Sequence, residues 1–140
     1  MRLRKDAKVE LIKHVPLFSG LARRELNEVA GIADEIDLPE GKELTREGSR
    51  GREFFVLIEG EASVRRGDQE VNRLAAGDFF GEIALVQDTP RTATVTAESP
   101  VRALVITDRS FRALLERSPE IESKVMSAVA ARLSPDDEPH

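Results

Sequence analysis

The spacing of apolar positions changes period twice along this chain. Over about residues 5–35 it is helical. Val9, Leu11 and Ile12 make a short stripe that stops before Pro16, and Leu26, Val29, Ala30 and Ala33 fall at i, i+3, i+4 and i+7 on one face of a second helix. A proline-started apolar turn, Pro16-Leu17-Phe18-Ser19-Gly20-Leu21, lies between them. Over about residues 36–107 the pattern shortens to strands. Glu53-Phe54-Phe55-Val56-Leu57-Ile58 is aromatic and β-branched and is closed by Glu59-Gly60. Ala62-Ser63-Val64-Arg65-Arg66 ends at Gly67-Asp68, a hairpin signal, and residues 69–74 return, closed by Ala76-Gly77-Asp78. Residues 94–97 and 101–106 predict two more strands, split at Ser99-Pro100. Seven of the nine glycines fall between Gly41 and Gly81, which confines the tight turns to this middle segment. Short strands at this spacing predict a barrel or sandwich.

Over about residues 108–133 the helical period returns. Asp108 reads as an N-cap, with Phe111, Leu114 and Leu115 as the buried stripe. Ser118 then caps a last helix that has Pro119 at its first position. Ile121, Val125, Ala128 and Val129 occupy one face of it, and Met126, Ala130 and Leu133 a second. A helix with two apolar faces is expected to cover something besides its own core, a ligand mouth or a partner chain.

The 140 residues predict a single domain over residues 1–133. A chain of this length buries roughly 68–70% of its unfolded surface and folds without disulfides or a structural metal. Residues 134–140 are polar, acidic and broken by proline, and are expected to be disordered. The absence of cysteine excludes disulfide frameworks, zinc fingers and thiol nucleophiles. The only histidines are His14 and His140, too few for a histidine metal site or the usual general-base network. No metal, no cofactor and no enzymatic activity are therefore expected. A net charge of −5, with six Phe and no Trp or Tyr, argues against a nucleic-acid surface but leaves room for a local anion pocket. No apolar run of 18 residues and no signal-peptide core occur, so the chain is expected to be soluble and cytoplasmic.

One segment concentrates groups suited to an anion. It reads Asp78-Phe79-Phe80-Gly81-Glu82-Ile83-Ala84-Leu85-Val86, then, after Gln87 and Asp88, Thr89-Pro90-Arg91-Thr92-Ala93-Thr94-Val95. Gly81 ends a strand and permits an unusual turn. Residues 82–86 have room for about one helical turn, whose first N–H groups lack partners and suit an anion. Arg91 follows Glu82 by nine positions, among small residues that let a ligand approach the backbone. A phosphate would find a guanidinium and a hydroxyl there, with Glu82 free to accept from sugar hydroxyls. The plainer reading of the same spacing is a surface ion pair.

The segment resembles the phosphate-binding cassette of the cyclic-nucleotide-binding domain family, which includes kinase regulatory subunits, cyclic-nucleotide-gated channels and catabolite-activator-type regulators. The resemblance rests on Phe80-Gly81-Glu82-Ile83-Ala84-Leu85 and Pro90-Arg91-Thr92-Ala93-Thr94-Val95. Gly41, Gly48, the run Phe54 to Gly60, and the opening Val15-Pro16-Leu17-Phe18-Ser19-Gly20-Leu21 extend it over about residues 10–133. It implies an eight-stranded antiparallel jelly-roll-like β-roll with helices at both ends. It also implies roles: Glu82 on the ribose 2′-hydroxyl, Arg91 on the cyclic phosphate, and backbone N–H groups near Ile83, Ala84, Thr92 and Ala93 completing the cradle after the Gly81 turn. The Thr92 hydroxyl would donate to phosphate or reach the base.

Arg132 is the candidate to stack on the base; a solvated helix-face arginine is the alternative. Arg23-Arg24 and Arg65-Arg66 read as solvated surface. The sequence is expected to hold one such domain, without a helix-turn-helix module or a membrane span, as in a stand-alone sensor domain or one domain cut from a longer protein. The resemblance implies a non-enzymatic cyclic-nucleotide sensor, cyclic AMP ahead of cyclic GMP, that signals through its C-terminal helix to a second copy or another partner protein. Thr92 pulls the other way, since a threonine after the cassette arginine favours cyclic GMP in the kinase branch. The alternative is a ligand-independent β-roll interaction domain with a vestigial pocket. An enzyme on a related jelly roll, as in the cupins, lacks the histidines it would need.

Overall fold

The structure, a computed structural model, describes residues 5–87 and 89–132. Two helices lead in, α1 (Lys5–Lys13) and α2 (Arg23–Ile32). Six strands follow: β1 (Asp34–Leu38), β2 (Glu43–Thr45), β3 (Glu53–Glu59), β4 (Ala62–Arg66), β5 (Gln69–Leu74) and β6 (Phe79–Phe80). A short helix α3 (Glu82–Gln87) precedes β7 (Thr94–Ala97) and β8 (Val101–Thr107), and α4 (Asp108–Arg117) and α5 (Pro119–Arg132) close the chain. The strands form two four-stranded antiparallel sheets, ordered β1-β8-β3-β6 and β2-β7-β4-β5. The fold is thus mainly β with flanking helices, the jelly-roll-like β-roll the sequence implied.

The apolar run of β3 has a simple cause: both its faces are covered. Phe54 and Val56 point to the helical side, where they pack with α1, α2, α4 and α5 residues such as Ile12, Val29, Phe111 and Val125. Phe55 and Leu57 point into the roll, against Val64, Phe80, Val95 and Ala103. β8 divides the same way, with Leu104 and Ile106 on the helical side and Val101 and Ala103 inside, as a period of two requires. Phe54 stacks on Phe111 with ring centroids 4.4 Å apart, which fixes α4 on the sheet.

Two boundaries differ from the expected ones. Helix was expected to about residue 35, but α2 ends at Ile32 and Asp34 already pairs with Val105. Asp108 was expected to cap α4, but Thr107 does so. Its backbone is still extended, and its Oγ1 accepts from the Ser110 N–H at 3.3 Å. Asp108 sits in the first turn instead, where its charge suits the helix dipole, and its own N–H donates to the Arg52 carbonyl at 2.7 Å. Ser118 caps α5 as expected, its Oγ accepting from the Ile121 N–H at 3.4 Å. Of the two apolar faces of α5, the Ile121, Val125 and Val129 face is buried, whereas Met126 is 47% exposed. Leu133 and the tail at 134–140 lie outside the described residues.

α5 is fastened to the opening turn by one side chain. Lys124 Nζ donates to the carbonyls of Pro16 and Ser19 at 3.0 Å each and of Leu17 at 3.5 Å. Lys124→Met keeps the stem and removes the donors. It should cost about 1 kcal/mol of stability, as expected for a charged donor that is still partly hydrated. Urea unfolding measures it, and an unchanged midpoint would mean the clasp contributes nothing.

Candidate functional site

The site forms where the chain leaves β6. Gly81 has φ of +95°, which turns the chain into α3. A Cβ there would also stand 2.8 Å from Arg91 Nη1 and 2.9 Å from the Glu53 carbonyl, so glycine is required twice over. α3 lays Ile83 and Leu85 into the helix-side core, with Ile83 1% exposed.

Arg91 is held by the loop before β3. Its N–H donates to the Ser49 carbonyl at 2.8 Å, and its carbonyl accepts from the Gly48 N–H at 2.9 Å. Its side chain is 5% exposed. Nη1 donates to the Gly81 carbonyl at 3.1 Å and Nη2 to the Glu53 carbonyl at 2.7 Å, while the Glu53 carboxylate stands 3.8 Å away. The guanidinium carbon lies 5.9 Å from the centroid of the Phe55 ring. Burial pulls the Arg91 pKa below the usual arginine value, and the Glu53 and Glu82 carboxylates act in the opposite direction. Arginine stays charged under such opposed influences, so the site keeps a fixed buried cation.

Glu82 is not the open acceptor that its spacing suggested. Its relative exposure is 0%, and it already has a partner within the protein. A carboxylate so deep is tolerable only when paired, and its electrostatic influence on Arg91 puts the two charges in one neighbourhood.

The expected residues Gly81, Ile83, Arg91, Thr92 and Ala93 line one pocket, together with Thr45, Phe80 and Val95. The pocket is narrow: it measures about 240 Å³ when space open to solvent is counted, but the room it leaves for the centre of a water molecule is about 10 Å³, close to the least that holds a single water. A phosphate therefore has to occupy the open part or move a wall. Sequence reading missed Thr45, whose hydroxyl donates to the Ala93 carbonyl at 3.1 Å across 48 residues. It also missed Gly51 and Glu53, which seat Arg91. The side chains of Ala84 and Arg132 lie outside the described residues. Among the described residues no cluster of His, Cys, Asp and Glu is suited to a metal ion, and no helix is long and apolar enough to cross a membrane.

The cyclic nucleotide-binding domain profile matches residues 35–118, more than half of the chain and the whole of this site. The chain belongs to the cyclic nucleotide-binding domain family. It is 37% identical over 118 residues to a cAMP-dependent protein kinase regulatory subunit of Mycosarcoma maydis, covering 76% of this chain and 22% of that protein. It is 35% identical over 123 residues to a cyclic nucleotide-gated potassium channel of Rhizobium etli, covering 88% of this chain and 34% of the channel. Among solved structures, the regulatory domain of Toxoplasma gondii PKA with cAMP superposes with a TM-score of 0.81 at 26% identity, over 89% of this chain and 49% of that one. The chain thus spans about a fifth to a third of the curated relatives it matches. The family's β-roll is the architecture described above.

Proposed function

We propose that this domain binds a cyclic nucleotide, cyclic AMP ahead of cyclic GMP, as a non-enzymatic sensor in the cytoplasm. The observation that carries the reading is buried Arg91 in the wall of one pocket that Gly81, Ile83, Thr92 and Ala93 also line, with buried Glu82, itself not a lining residue, next after Gly81 in the chain. Arg91 pairs with the cyclic phosphate, and Glu82, buried in the free protein, accepts from the ribose 2′-hydroxyl once the pocket wall moves to uncover it. N–H groups near Ile83, Ala84, Thr92 and Ala93 complete the cradle, and Thr92 adds a hydroxyl. Arg132 remains the candidate for the base. The regulatory relatives support cyclic AMP as the ligand, and one of them is named as a complex with it.

A signal would leave through α3. Arg112 Nη2, on α4, donates to the Leu85 carbonyl of α3 at 2.7 Å, and α3 also touches α5. Ligand that favours one placement of α3 would shift the populations of α4 and α5 with it, for a second copy or another protein to read. Glu82→Ala should weaken binding by about 1.5–3 kcal/mol, the worth of a hydrogen bond to a charged group, or roughly 10- to 150-fold. A loss under about 0.5 kcal/mol by titration calorimetry would remove Glu82 from the site.

The narrowness of the pocket favours a second reading, a ligand-independent interaction domain with a vestigial pocket. Thermal unfolding separates the two. Ligand at a hundred times its Kd stabilises by about 2.7 kcal/mol, which raises Tm by several degrees; an unchanged Tm with excess of either nucleotide selects the second reading.

A further inference from the structure

Among the described residues, one buried side-chain polar atom lacks a hydrogen-bond partner, and it lies inside the cassette: Thr89 Oγ1. Other buried hydroxyls are paired. Thr45 donates to the Ala93 carbonyl, Ser63 to the Glu98 carboxylate, and Ser118 accepts from the Ile121 N–H. A threonine in a loop usually bonds a backbone N–H one or two residues on. Here the next residue is Pro90, which has no N–H. The one after is Arg91, whose N–H is already given to the Ser49 carbonyl at 2.8 Å. The hydroxyl is therefore stranded by the same contacts that seat Arg91.

We propose that Thr89 is a positioning residue of the ligand-bound state. Its hydroxyl gains its partner when residues 89–90 shift as the ligand's phosphate engages Arg91, whose guanidinium stays on the Gly81 and Glu53 carbonyls, and it then braces the Arg91 backbone. This rests on the reading of the pocket as a cyclic-nucleotide site. Thr89 does not line the pocket, so it acts through the Arg91 segment and not on the ligand. A polar group that is unsatisfied in one state and satisfied in the other biases the equilibrium toward the second.

The test compares Thr89→Val, which keeps the branched shape that the position before proline accepts, with Thr89→Ser, which keeps the hydroxyl. Each is measured for ligand-free Tm and for the Kd of cyclic AMP. Thr89→Val is expected to keep or raise the ligand-free Tm and to weaken binding about tenfold, the factor that one ordinary hydrogen bond supplies. Thr89→Ser is expected to stay within about twofold of the parent. Unchanged affinity in Thr89→Val would overturn the inference. So would a ligand-free Tm that falls in Thr89→Val and returns in Thr89→Ser, since the hydroxyl would then serve the free state. A parent protein that binds neither cyclic AMP nor cyclic GMP defeats the cyclic-nucleotide reading itself, and this inference with it; a parent that binds beside an equally tight Thr89→Val defeats this inference alone.

Discussion

Arg91→Ala should weaken cyclic AMP binding by about 2–5 kcal/mol, or roughly 30- to 5,000-fold. The magnitude follows from where the guanidinium stands. It is 5% exposed, so little water screens it, and the protein has already paid to bury it. It is held from two sides by the Gly81 and Glu53 carbonyls, so little freedom remains to be lost on binding an anion. Removing it also deprives buried Glu82 of a neighbouring cation. Arg91→Lys should recover little, because one ammonium on a flexible stem does not reproduce a planar fork spanning both carbonyls. Calorimetric titration of the three proteins checks this, and a loss below about 0.5 kcal/mol for the alanine variant would remove Arg91 from the site.

Gly51→Ala should come close to the same loss, about 2–4 kcal/mol, without removing any ligand-facing group. Gly51 does not need glycine for its backbone, since its φ is not among the positive ones. It needs the space. A Cβ on it would collide with the Arg91 guanidinium, at Nε, Cζ and Nη2. Either the guanidinium leaves or the loop that carries Ser49 lifts, and both disturb the seat of Arg91. The decisive comparison is the double variant. Once Arg91→Ala has removed the guanidinium, the alanine at 51 has nothing to strike, so the two losses should be far from additive. Strict additivity would show that Gly51 acts on the protein by another route.

The contrast between Arg91 and Gly51 also shows what was legible in the sequence. The cassette is one continuous segment, and its Gly, Glu, Pro and Arg announce their chemistry by type and spacing. β3 and β8 were legible because both faces are buried, which leaves an apolar run. β4, β5 and β7 are bounded by glycine and proline turns. β1 was hidden, because Asp34-Glu35-Ile36-Asp37-Leu38 carries three carboxylates. It is an edge strand, where charge is an asset, and Arg102 on neighbouring β8 answers it, 3.0 Å from Asp37 and 3.7 Å from Glu35. β2, three residues long, has no period to detect.

The parts of the site that were not legible come from far away in the chain. Glu53 reaches Arg91 across 38 residues. Gly51 serves a guanidinium that only the fold brings to it. Glu82 was legible as a candidate site carboxylate but not as a buried one, since burial is a property of the packed α3 and not of its own sequence.

Titration calorimetry of the intact protein with cyclic AMP, and with cyclic GMP in parallel, tests the central claim most directly. Saturable binding at about one nucleotide per chain is expected, tighter for cyclic AMP and lost in Arg91→Ala. No heat and no thermal shift with either nucleotide would contradict it.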